Sequence, residues 1–191
     1  MFVCMQIVAA RESFFEAGLD ILADLGFGGL KLAEVCSRLG VTTGSFYHYF
    51  SGWGTYTREL VVYWRQDRTV RVIDVMRSQP DPRRRIEAII EVALSLPHRA
   101  ESAIRAWSSV DPEVLAVQRE VDQQRFEILY DSAFDIVGDA GQAHTYAAWA
   151  VYVFIGYEQA MLPREAKMFE WISTTMLNDL EAGHFADAPP R

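Results

Sequence analysis

Apolar residues recur along this chain at helical spacing, and no stretch alternates with the two-residue period of a strand. Phe14, Ala17, Gly18, Ile21, Leu22 and Leu25 mark one face of a first helix, with Glu16, Asp20 and Asp24 opposite. Gly26 ends it. Gly26-Phe27-Gly28-Gly29 reads as a flexible turn, because the Gly-Lys-Ser/Thr that completes a phosphate cradle does not follow. From Leu32 the pattern changes to two short helices with a tight bend. Val35 and Leu39 supply an apolar face, and Cys36 is small enough for a second helix to cross close by. Gly40 falls where the first of these must stop, in a left-handed conformation that only glycine takes without steric cost. Val41 then points inward and Thr42 can cap the next helix through its hydroxyl. Phe46 and Phe50 bury one side of that helix, leaving Thr43, Ser45, Tyr47 and His48 outside. The combination describes a helix-turn-helix, with an outer face able to hydrogen-bond phosphates and base edges in a major groove.

Ser51-Gly52-Trp53-Gly54 interrupts the pattern, and a long helix is expected from about Thr55 to Arg77. Its apolar stripe is Leu60, Tyr63, Trp64, Val70 and Ile73; Arg58, Arg65, Arg68 and Arg71 read as a solvated face. Gln79-Pro80-Asp81-Pro82 forces a corner, where Asp81 can cap a new helix with Pro82 in its first position. That helix should stop before Pro97, another should span about Arg99 to Ser109, and Asp111-Pro112 repeats the start for a long helix to about Val137. Val114, Val117, Val121 and Ile128 mark the buried side of the long one, and Arg83-Arg84-Arg85 reads as a surface cluster. The most apolar stretch, Tyr146 to Tyr157, is too short to span a membrane and is closed by Glu158. A helix apolar all round needs cover on several sides, hence a second subunit or a ligand beside it. Pro163 is expected to open the last helix, with Met168, Phe169, Ile172, Met176 and Leu180 at helical spacing, and Gly183 to end it before a loose tail, His184 to Arg191. The expected fold is all-α, about nine helices without internal repeat. Residues 1–54 form a three-helix helix-turn-helix domain and residues 55–191 a six-helix domain.

Composition narrows the function. A chain of 191 residues, half of them hydrophobic, folds rather than staying disordered. Its net charge of −8 opposes nucleic-acid binding, and through residue 60 four cations stand against six anions. Nonspecific affinity comes largely from cations that release phosphate counterions, so any DNA binding should be modest for one copy and need two. Acidic charge overall is no veto, since only the groove-facing strip meets DNA. Cys4 and Cys36 share no metal-like spacing, and no disulfide framework is expected, which suits a reducing cytoplasm. Met1 to Met5 lacks the basic start and long apolar core of a signal peptide and reads as a frayed end, or a start codon set slightly early. The four histidines show no ligand spacing, His98 and Glu101 read as a helix start, and no serine sits in a Gly-x-Ser-x-Gly elbow. No enzyme, metal or cofactor is expected. The aromatic residues are many. Singly each is a core residue; together they suit a cavity for a small apolar or amphipathic ligand, with Trp107, Phe126, Trp149 and Tyr152 expected at its wall. The stretch from Trp149 to Tyr157, flanked by Ile172, Met176 and Leu180, is expected to pair with a second copy, which would make a DNA target an inverted repeat.

Gly40-Val41-Thr42-Thr43-Gly44-Ser45-Phe46-Tyr47-His48-Tyr49-Phe50 resembles the signature of TetR-family transcriptional regulators, and Phe14 to Gly26 resembles that family's first helix. The resemblance implies that Thr43 reaches bases, that Ser45 and Tyr47 contact phosphates, and that His48 touches bases or backbone, within a DNA-binding set of Thr42, Thr43, Gly44, Ser45, Tyr47 and His48. It stops at Trp53, where the family usually has a lysine, and Lys31 stands where the family usually has a hydroxyl. The implied protein is a cytoplasmic, homodimeric repressor released from an inverted-repeat operator in double-stranded DNA by a small-molecule effector, with no membrane partner. The alternative is a dimeric small-molecule-binding protein of the same fold with weak or lost DNA binding. Trp53 and the acidic first domain favour it. An enzyme ranks third.

Overall fold

The computed structural model describes residues 2–186, with side-chain surroundings from Arg11 onward. Every regular element is helical: α1 (Phe2–Leu25), a 3-10 turn (Phe27–Gly29), α2 (Leu32–Leu39), α3 (Thr43–Tyr49), α4 (Trp53–Arg65), a π-helical turn (Gln66–Val70), α5 (Arg71–Arg77), α6 (Pro82–Ser95), α7 (His98–Ser108), α8 (Pro112–Val137), α9 (Ala140–Gln159) and α10 (Ala166–Glu181). With α4, the π turn and α5 counted as the one run they form, the described residues make nine helices and no strand. None of these helices is long and apolar enough to cross a membrane. Contacts divide the chain into two compact units, residues 1–66 with 97–118, and residues 67–96 with 119–191. The division does not follow the expected boundary between residues 54 and 55. It adds α7 to the first unit because Ala100, Ile104 and Trp107 bury one face of that helix, which packs on α1.

In the first unit α1 packs against α2, α4 and α7. Its centre is aromatic. Phe14 meets Phe46 at 5.8 Å and Phe50 at 5.6 Å between ring centroids, and Tyr56 meets the same two rings at 5.3 and 5.1 Å. Such edge-to-face pairs add about 0.5–1.5 kcal/mol each beyond the area they bury. The fully buried Tyr56 hydroxyl donates to the Phe14 carbonyl oxygen at 2.8 Å, and burial pushes that hydroxyl's pKa up. Gly18 makes the bond possible: a Cβ there would sit 2.3 Å from Tyr56 Oη and 3.0 Å from a Leu60 methyl. On the other side, the Trp64 indole N–H donates to the buried Glu101 carboxylate at 2.6 Å, which ties α4 to α7. Leu25, placed on the apolar face by its spacing, is instead exposed. α1 is helical from Phe2, where a frayed end was expected; Met1 and the side chain of Cys4 lie outside the described residues.

The second unit buries Ile86, Ala133, Tyr146, Ala147, Leu177 and Leu180 among α6, α8, α9 and α10. Its helix starts follow the acidic signals. Asp81 Oδ1 accepts from the amides of Arg83 and Arg84 (3.0 and 3.2 Å), and Asp139 accepts from that of Gln142 (2.9 Å). The Asp111 carboxylate does the same for Glu113 and Val114 at the head of α8 (2.9 and 3.2 Å). The arginine cluster is a surface feature held by partners: Arg83 bonds Glu87, Glu181 and Asn178, and Arg85 bonds Asp135 and the Gln79 carbonyl. Two expected ends differ. The last helix begins at Ala166, not Pro163, because Glu165 is extended and Arg164 donates to the Glu158 carbonyl at 3.0 Å, holding the intervening residues in a loop. The tail expected to be loose from His184 is ordered through Ala186, with Phe185 buried against Tyr146 (5.7 Å) and Trp149 (5.5 Å); residues 187–191 lie outside the described residues.

Replacing a helical glycine by alanine ordinarily stabilises by about 1 kcal/mol. Gly18→Ala is expected to do the opposite, lowering stability by about 1–3 kcal/mol as an overpacked site does. Tyr56→Phe in the same chain should recover part of the loss by removing the clashing oxygen. Urea denaturation of the single and double variants checks both signs.

Candidate reading helix and ligand cavity

The turn before α3 is built as its residues suggest. Gly40 adopts φ 64° and ψ 30°, and the Val41 amide closes the end of α2 on the Cys36 carbonyl at 3.0 Å. Thr42 is extended and its Oγ1 accepts from the Ser45 amide at 3.3 Å. Phe46 and Phe50 are buried, which turns the opposite side of α3 outward. Thr43, Tyr47 and His48 are exposed there, Tyr47 by 55%, and Ser45 is half-buried. Thr42, with its Oγ1 also 3.3 Å from Ser45 Oγ, serves first as a cap. A methyl at Gly44 would meet only Thr42 Oγ1 at an ordinary 3.5 Å, so the glycine keeps this side of α3 low without being required by the fold. The structure therefore brings all six expected residues onto one capped helix.

The surrounding charge is mostly spoken for. Arg11 pairs with Glu59, and Arg58 is 4.0 Å from Glu113. Arg38 pairs with Asp24 at 2.8 Å and Glu34 at 3.3 Å, and the hydrogen bond to Asp24 raises its pKa further. Lys31 stands at the N-cap of α2 with no side-chain capping bond. Among the described residues it is the cation of this region without a carboxylate partner. Trp53, half-buried, packs on Phe46 at 6.0 Å and Tyr56 at 5.0 Å, so the position belongs to the aromatic core as much as to the surface.

The second unit holds a cavity with about 900 Å³ of atom-free space, part of it open to solvent. Its wall is chiefly apolar, with Val72, Ile90, Leu129, Val151, Phe154 and Phe169 among the lining residues. Arg68, Thr69, Asp122, Arg125 and Ser173 also line it. None of the four aromatic residues expected at the wall lines it, and that expectation is corrected. Trp107 lies in the first unit, stacked on Phe27 at 4.6 Å and donating to Asp111 at 3.2 Å. Phe126 is one position beyond Arg125, about 100° around α8, and stacks instead on Tyr130 and the edge of His144. Trp149 and Tyr152 are 49% and 71% exposed on α9, whose cavity side is Ala150, Val151 and Phe154. Arg68, expected on a solvated face, is half-buried at the cavity.

Residues 14–52 match the family model for bacterial regulatory proteins of the tetR family. The helix-turn-helix of this chain is a TetR-family domain. The HTH-type transcriptional regulator BetI of Rhizobium meliloti (strain 1021) is 24% identical over 124 residues, 63% of this chain. That match spans 58% of the relative's own length. A transcriptional regulator of Rhodococcus sp. Rha1 superposes with a TM-score of 0.74 over 91% of this chain and 96% of its own, at 18% identity. A protein of Saccharomonospora viridis in complex with choline superposes with a TM-score of 0.73 over 90% and 96%, at 13% identity. At these identities the two structures speak for the fold, which this chain shares with both proteins along nearly its whole length.

On the exposed face of α3, Thr43→Ala should relax choice at one base position, a loss of about 1–3 kcal/mol on the preferred sequence only. Tyr47→Ala should weaken binding similarly on all sequences. With few uncommitted cations, affinity should fall only about tenfold between 50 and 200 mM salt, as about two neutralised phosphates require. Trp53→Lys should steepen that dependence while costing about 1–2 kcal/mol of stability from lost aromatic packing. Fluorescence anisotropy on labelled duplexes across a salt series, with thermal melts, reads all four outcomes.

Proposed function

We propose that the protein is a homodimeric, ligand-responsive transcriptional repressor of the cytoplasm. The observation that carries the reading is α3: a capped helix seated on buried Phe46 and Phe50, with Thr43, Tyr47 and His48 outward, inside a TetR-family domain. Thr43 reaches base edges in the major groove, Ser45 and Tyr47 hold phosphates, and His48 contacts base or backbone. A cavity in the other unit supports an effector site, and the choline complex of the Saccharomonospora viridis protein supports small-molecule binding within this fold. The chain passes from one unit to the other inside the helical run 53–77. An effector that prefers a tilted state of that run changes the separation of two reading helices, and a coupling of about 1–3 kcal/mol changes DNA affinity about 5- to 150-fold.

Dimerisation is supported by what α9 and α10 leave uncovered. Trp149, Tyr152, Met168 and Trp171 are all at least 49% exposed, on two helices that pack together. Large apolar groups collected in this way are typical of a self-association surface. Met176 and Leu180, expected to flank the interface, are instead buried in the protomer's own core, and Met168 and Trp171 take their place. A second reading, the same dimer with little DNA affinity, is favoured by the carboxylates that hold Arg11, Arg38 and Arg58.

Hydroxyl-radical footprinting of the DNA upstream of the protein's own gene separates the two readings. The repressor reading expects two protected half-sites related by inversion, about one helical turn apart; no protection at low salt leaves only the second reading. In sedimentation at micromolar concentration the parent protein should run at roughly twice its chain mass. Tyr152→Asp with Trp171→Asp should run as a monomer with an unchanged far-UV spectrum. A monomeric parent would remove the dimer.

A further inference from the structure

We propose that the cavity of the second unit takes an amphipathic anion, a long-chain carboxylate, with its acid group beside Arg68 and Arg125 and its chain among the apolar wall; the proposal rests on the effector reading of this cavity. The wall is apolar, so the part of the ligand that fills it is hydrocarbon. The charged side chains in the lining are two arginines and one aspartate. A buried anion loses its hydration and is tolerated only where cations and donors replace the water. Arginine suits that task, since its planar fork matches a carboxylate with two parallel N–H groups. Arg125 is fixed over the Phe154 ring, with its Cζ 5.3 Å from the centroid. Arg68 stands in the π turn, its Nε 3.3 Å from Asp67. Next to it, Thr69 is 2% exposed, and its Oγ1 has no hydrogen-bond partner among the described residues. A buried hydroxyl without a partner costs free energy that a ligand oxygen can recover. A cationic ligand would meet two arginines of like charge in the lining, and a hydroxyl it could use only as an acceptor.

Three ten-carbon probes that differ only at the head decide the matter: decanoate, decan-1-ol and decyltrimethylammonium, titrated into the full-length protein by calorimetry below micelle formation at neutral pH. Decanoate should bind at least tenfold tighter than decan-1-ol, with decyltrimethylammonium weakest. Arg125→Gln should erase the tenfold preference and leave decan-1-ol affinity unchanged, while Arg125→Lys keeps most of it. Ala150→Phe, which narrows the cavity, should weaken decanoate and decan-1-ol together. Equal or tighter binding of the alcohol or the ammonium overturns the acid class and leaves the effector cavity standing. Decanoate binding untouched by Ala150→Phe overturns the site. Binding of none of the three overturns both the class and the effector reading. The head-group comparison uses the unmodified protein, so it decides even if an arginine variant fails to fold.

Discussion

The bond from the Tyr56 hydroxyl to the Phe14 carbonyl is the constraint on which the reading helix depends. It joins α1 to α4 at a spot where α1 carries no side chain, because Gly18 leaves the space that Tyr56 and Leu60 occupy. Phe46 and Phe50 pack on the same two residues, Phe14 and Tyr56. The orientation of α3 is therefore set from beneath by rings. A helix of only seven residues is too short to be stable by itself in water. Its rigidity comes from this aromatic seat, and a surface held rigid in that way loses little entropy when it meets a duplex.

The π turn governs the second unit in a comparable way. Along α4 the buried row Tyr56, Leu60 and Trp64, with Val61 beside it, keeps one-turn spacing, but the next buried position is Thr69, five residues beyond Trp64. The extra residue shifts the helix phase by one, so the buried place that regular spacing would give Arg68, four beyond Trp64, falls to Thr69, and both residues line the cavity. π turns are uncommon and concentrate at functional sites. This one lies where the chain leaves the first unit, at Gln66 and Asp67, so a ligand that touches Arg68 and Thr69 touches the connection itself.

Much of this was legible in residue types whose meaning is local. Gly40, Thr42, Asp81, Pro82 and Asp111 act within a few residues of themselves, and the helix count and most helix ends followed from them. The face of α3 was readable for the same reason, since two phenylalanines one turn apart define inside and outside. The cavity wall was not. Whether an aromatic residue faces a cavity, a core or the surface depends on about 100° of helix rotation, and apolarity alone carries no such angle. Trp149 and Tyr152 fell outward, Phe126 sideways and Trp107 into the other unit. Asp122 and Arg125 gave no signal either, because they sit in a mostly polar run from Arg119 to Glu127 where two more charges look like solvated surface. The π turn left no mark, because Gln66 to Val70 reads as ordinary helix.

The first unit has little positive charge to spare, so on the proposed reading its hold on DNA comes from shape, hydroxyl and aromatic contacts and the presence of two copies. An interaction of that kind is easily tipped by a ligand, which is what a regulator needs. Linkage makes the claim measurable: if the DNA-reading helix and the cavity belong to one two-state system, each ligand must change the other's affinity by the same factor. Upstream-duplex affinity should be measured with and without saturating decanoate, and decanoate affinity with and without saturating duplex. Coupled sites give two equal reductions, each about 5-fold or more; a duplex affinity unchanged by decanoate that demonstrably fills the cavity would contradict the coupling.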